Sequence, residues 1–217
     1  MTTQQTALEH LQVIRSLMEK AHIYRAISAP AAIAGGILAT GASVWTIWVS
    51  AVQESSNVPP SLFLTIWLGI FALCTLLNTI LLSREATRRA QPLVSADMKL
   101  ALRALAPALG AGGGMGICLA HFWHNQTLAA LVWIVCYALA LLSTSGFSPR
   151  SIRRLGRSFL AVGLLLFILW SAVPDARVYQ HEEAVAAACM GLTFGLLHLA
   201  YGIAVLIRKP QPAPSFE

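Results

Sequence analysis

The residue in this chain best suited to chemistry is a histidine inside an apolar run. His198 follows Ala184 by fourteen residues and precedes Ile207 by nine. Ionisable groups at membrane depth mark ligand or proton pathways, or satisfy themselves with one interhelical hydrogen bond. Gly191, Gly195, His198 and Gly202 recur at spacings of four, three and four. Read as one α-helix they share a face that presses on a neighbouring helix and hides the imidazole from lipid. Tyr201, and Asn78 in another apolar run, are the candidate partners, so His198, Tyr201 and Asn78 form the candidate intramembrane polar site.

A second group is the glycine cluster Gly110, Gly112, Gly113, Gly114 and Gly116, just after Pro107. It contains two overlapping G-x-x-x-G pairs, which permit close helix packing. The alternative is a broken helix whose bared backbone lines a pathway. Thr40, Ser43, Thr46 and Ser50, with Thr75 and Thr79, supply hydroxyls that either face a narrow polar path or bond back to their own helix. At the opposite membrane surface His121, His124 and His181, with Asp175, Glu182 and Glu183, are the candidate ligands for Zn²⁺ or Cu²⁺. Their spacing matches no established metal motif, and the reading predicts no resident cofactor. Nor does the chain contain G-x-S-x-G, H-E-x-x-H, a P-loop or a dinucleotide fingerprint, so it leans away from catalysis.

Partner binding is suggested by two further patterns. Residues 5–25 read as an amphipathic helix, with Leu11, Ile14 and Met18 on its apolar arc and a polar arc of mixed charge. Mixed charge suits a protein partner better than anionic lipid. Arg150, Arg153, Arg154 and Arg157 fall at i, i+3, i+4 and i+7, which gathers four guanidinium groups on an arc of about 100°. They would anchor anionic headgroups or meet an acidic cytoplasmic partner.

These residues are positioned by a chain that is 57% apolar and 11% charged over 217 residues, against roughly 45–50% and about 25% in soluble domains. Mean hydropathy is +0.67. Six apolar runs, 27–52, 62–82, 104–123, 127–145, 158–173 and 184–207, are long enough to span a bilayer. The expected architecture is therefore all-α: residues 1–25 as a cytoplasmic helix, 26–207 as six transmembrane helices in three hairpins, and 208–217 as a tail. Of the fifteen Lys and Arg residues, all but Arg177 fall on one side of these runs. The basic character (net charge +6) thus follows topology rather than nucleic acid, and predicts both termini in the cytoplasm, in a bacterial inner membrane. The four cysteines, Cys74, Cys118, Cys136 and Cys189, read as small buried apolar residues.

Ala29-Pro30-Ala31-Ala32-Ile33-Ala34-Gly35-Gly36 matches Ala106-Pro107-Ala108-Leu109-Gly110-Ala111-Gly112-Gly113 at six of eight positions. In the even runs, Trp67, Phe71, Ala72 and Leu73 align with Trp133, Tyr137, Ala138 and Leu139, with a weaker echo at Phe194 and Leu196. Duplication of a helical hairpin would explain both matches; chance similarity in Ala/Gly/Leu-rich sequence is the alternative. The leading functional expectation is a non-catalytic interaction or regulatory module, homo-oligomeric through its glycine faces. A passive channel or transporter for a small solute comes second, and an outer-face metal-binding protein or membrane enzyme third.

Overall fold

The structure is a computed structural model and describes residues 28–52, 59–88, 96–172 and 182–207. Every regular element among them is helical: α1 (Ala29–Val52), α2 (Pro60–Arg88), α3 (Ala96–His121), α4 (Gln126–Ser143), α5 (Arg150–Ala172) and α6 (Glu182–Ile207). All six are long and apolar enough to cross a membrane. The expected N-terminal helix with Leu11, Ile14 and Met18 lies outside the described residues, as do His181 and the tail 208–217.

Three helices outrun their apolar runs at the arginine-bearing end. α2 continues to Arg88, α3 begins at Ala96, and α5 begins at Arg150. The first turns of α5 persist because they are two-sided: Ile152, Leu155, Gly156 and Phe159 are buried, while Arg150, Arg154 and Arg157 are exposed and Arg153 is half-buried. A hydropathy average dilutes that pattern, whereas packing reads only its apolar side. Ser148 does not cap this helix through its side chain. Its hydroxyl donates to Thr144 Oγ1 at 2.8 Å, and the Pro149 carbonyl accepts the first helical bonds, from Ile152 N and Arg153 N. At the other end of the bundle, Asn125 Oδ1 caps α4 by accepting from Leu128 N at 2.8 Å. His124 before it has φ 52°, the left-handed turn that reverses the chain between α3 and α4.

Each odd-numbered helix packs against two even-numbered ones: α1 against α2 and the whole length of α6, α3 against α4 and more lightly α2, α5 against α4 and α6. α4 also packs on the first half of α6 and is the most buried helix. Small residues make these contacts close, since lipid supplies no hydrophobic drive between helices and backbone approach must do so. A Cβ on Gly163 of α5 would lie 2.8 Å from Ile134 of α4, and one on Gly202 of α6 would meet Ile33 of α1 at 2.5 Å. The outward sides of α2 and α3 carry exposed Leu73, Leu76, Leu102 and Met115, apolar surface suited to lipid.

α6 is not one regular helix. Glu182–Met190 and His198–Ile207 are α-helical, and Gly191–Leu197 between them is π-helical. π segments are rare, and they recur at functional sites.

Candidate functional site

The π segment ends at His198, and there the helices part around a cavity of about 310 Å³ walled by α1, α2, α3, α4 and α6. α1 contributes Gly35 and Ala39; α2 contributes Trp67, Phe71, Cys74 and Asn78. From α3 come Leu109, Gly112 and Gly113, from α4 Trp133, Cys136 and Tyr137, and from α6 Met190, Phe194 and His198. Most of the wall is apolar, and its chemistry is concentrated in one pair. Tyr137 Oη and His198 Nε2 are 2.9 Å apart. The rings of Phe159 and Phe194 close around them, with centroids 5.2 and 5.9 Å from the imidazole and 4.9 and 5.0 Å from the phenol.

His198 is 9% exposed, so the expected shielding from lipid is present. Its direction differs from the expectation. Gly191, Gly195 and Gly202 abut Ser43, Thr40 and Ile33 of α1, whereas the imidazole meets α4 and α5. The π segment winds wider than 3.6 residues per turn, so four-three-four spacing across it does not hold one line. Nδ1 of His198 is buried without a hydrogen-bond partner. The Phe194 carbonyl lies one turn back but makes no hydrogen bond to it by geometry.

Neutral tyrosine and neutral histidine together carry two protons, one on the phenol and one on the imidazole. If the phenol donates to Nε2, the imidazole proton sits on Nδ1; if Nε2–H donates to the phenol, the phenolic proton is left over. Either assignment uses one proton in the pair and leaves one over.

The other sequence-derived residues divide clearly. Asn78 lines the cavity, and its Oδ1 accepts from the Ser28 N–H at 3.0 Å. Tyr201 is half-buried and packs against the core. Gly112 and Gly116 pack on Cys136 and the Trp133 indole, respectively. Gly110 and Gly114 are exposed, with open space where a Cβ would stand, and Gly113 combines open space with a place in the cavity wall. α3 runs unbroken through the cluster and Pro107, so irregular backbone occurs in α6 instead. Thr40, Ser43, Thr46, Thr75 and Thr79 all donate back to carbonyls of their own helices at 2.8–2.9 Å. His121 and His124 are exposed, and no group of three metal-ligating side chains comes together among the described residues. Cys118 is exposed, contrary to expectation; Cys189 is buried, and Cys74 and Cys136 are half-buried.

Tyr137 is the residue sequence reasoning missed. Its signal was present: a phenol in mid-run must find a partner in lipid, and Tyr137 aligns with Phe71. Phe71, Tyr137 and Phe194, the matching positions of the three even helices, all line the cavity, as do the matched pairs Trp67 and Trp133, and Gly35 and Gly112.

Comparison of the chain with protein-family models, with curated proteins and with solved structures finds no match.

Proposed function

We propose that this chain is a non-catalytic integral membrane protein that holds a small, largely apolar molecule between its helices, as a carrier or facilitator must at some step. The convergence of Phe71, Tyr137 and Phe194 on one cavity carries the reading. Repeated hairpins bring equivalent positions to a common centre, and each odd helix touching two even ones supports three hairpins around it. At about 310 Å³, the space is twice the ~150 Å³ that accommodates benzene in an engineered cavity. Gly113→Leu is the test, because Gly113 stands in the cavity wall with open space where a Cβ would stand, so the larger side chain takes up part of the cavity. The protein in lipid nanodiscs should retain naphthalene in equilibrium dialysis above protein-free discs, and the variant should lose that excess. No excess in the parent protein would remove the reading.

In the same proposal both termini are cytoplasmic and the membrane is a bacterial inner membrane, on the charge asymmetry. The exposed Gly110 and Gly114 offer a face for a second copy.

A second reading, docking of a cytoplasmic partner, is favoured by the side of α5 that bears exposed Arg150, Arg154 and Arg157 with half-buried Arg153 beside them. In this reading Leu11, Ile14 and Met18 also bind the partner, and anionic headgroups are the competing ligand of the arginines. A companion protein that co-purifies stoichiometrically and is lost on changing Leu11, Ile14 and Met18 to Ser would support it. Retention of that companion by the variant would count against it.

A further inference from the structure

The cavity wall restricts what it can hold. Among the described residues it contains no Asp, Glu, Lys or Arg, so a charged ligand would be stripped of water with nothing there to offset its charge. Trp67, Phe71, Trp133 and Phe194 present rings to the space, and aromatic walls favour a ligand with rings of its own. Hydrogen-bonding capacity at the wall is mostly spent: the Thr75 hydroxyl donates to the Phe71 carbonyl, and Asn78 Oδ1 accepts from Ser28. What remains is the Tyr137–His198 pair: Nδ1 is unpartnered but closed off from the cavity, so the proton a ligand can meet is the phenolic one, left over when Nε2–H donates to the Tyr137 oxygen. A buried donor left unmet is costly, and a ligand that supplies the acceptor recovers that cost.

We infer that the ligand is a neutral two-ring molecule carrying one hydrogen-bond-accepting oxygen of the ketone kind, held by the leftover proton of the Tyr137–His198 pair and by the aromatic wall. The inference rests on the cavity being a ligand site, as proposed above. It adds the ligand's chemistry: rings for the wall, one acceptor for the pair, and no charge. A plain hydrocarbon or a lipid chain satisfies the wall but leaves the donor unmet.

Tetralone and tetralin share a two-ring skeleton and differ in one ketone, so together they isolate that contact. The full chain in nanodiscs is dialysed to equilibrium against each probe, and retention is counted above protein-free discs. The protein should retain about fivefold more tetralone than tetralin, the effect of one net hydrogen bond. His198→Phe leaves the phenol free to donate and should keep the preference. Tyr137→Phe combined with His198→Phe keeps both rings but removes both protons; it should bring tetralone down to the tetralin level while leaving tetralin retention unchanged.

Equal retention of the two probes by the parent protein would overturn the ligand chemistry while leaving the cavity reading intact. Absence of tetralin, tetralone and naphthalene alike would overturn both. A tetralone preference that survives in the double variant would show that the ketone is recognised elsewhere, and would overturn the assignment. The comparison of probes on the parent protein decides the question even if a variant fails to fold.

Discussion

Tyr137 Oη lies 2.9 Å from His198 Nε2, joining α4 to α6 across 61 positions of sequence inside a box of aromatic rings. Removing the phenolic oxygen alone leaves a ring nitrogen buried with no partner. Tyr137→Phe should therefore lower unfolding stability in micelles by about 1 kcal/mol, the scale of interhelical hydrogen bonds in membranes. The double change Tyr137→Phe with His198→Phe turns the box wholly apolar and should cost less than the two single changes added together. Strict additivity in the cycle would mean that the two side chains do not depend on each other.

The glycines of α3 should separate by face. A methyl group on Gly116 would run into the Trp133 indole, whereas one on Gly114 meets nothing. Gly116→Ala must push α3 away from α4 or turn the indole, and should cost about 1–3 kcal/mol in thermal or denaturant unfolding. Gly114→Ala should stay within about 0.5 kcal/mol of the parent protein. Equal effects at the two positions would contradict this division of the cluster.

That division also marks how far the sequence can be read. A four-residue spacing puts Gly112 with Gly116 and Gly110 with Gly114, but the helix that waits on either face is set by contacts distant in sequence. The six apolar runs were legible because lipid demands long, continuous hydrophobicity. The amphipathic start of α5 was less so, since its arginines mask the apolar face formed by Ile152 and Leu155. His198 stood out as an isolated imidazole in a run, yet its partner Tyr137 did not, because a phenol is common enough in apolar helices to pass unnoticed. The π segment carries no local signature: Gly-Leu-Thr-Phe-Gly-Leu-Leu reads as ordinary helix, and the wider turn shows only in the folded chain, where α6 packs along α1 and His198 meets α4.

Glu182 offers a test at the other end of the bundle. Glu182 Oε1 accepts from Thr127 N at 3.3 Å and the Glu182 carbonyl accepts from the Thr127 hydroxyl at 3.0 Å. The side chain thus serves the N-terminus of α4, where bare N–H groups and the helix dipole favour an acceptor. Glu182→Ala should lower stability by about 1 kcal/mol, and Glu182→Gln, which keeps an oxygen acceptor, should recover about half of it. Thermal unfolding of both variants in the same detergent checks the ordering, and an alanine variant as stable as the parent protein would rule out the cap.

The π segment makes the most demanding prediction, because it uses about one residue more than a regular α-helix needs for the same rotation. Leu196 is exposed, so deleting it removes no buried side chain and shortens the segment by one residue. A seven-residue π segment and a six-residue α segment cover nearly the same rotation, so a regular α-helix can take its place with the chain on either side almost where it was. Gly191 and Gly202 both lean on α1, at Ser43 and Ile33, while His198 reaches Tyr137; the three contacts should survive the exchange. Helix content by far-UV circular dichroism should be unchanged, stability should stay within about 1 kcal/mol of the parent protein, and the tetralone preference should persist. A loss of about 3 kcal/mol or more, as when packing or a buried network fails, would mean that the wide turn itself, and not the register on either side of it, positions His198.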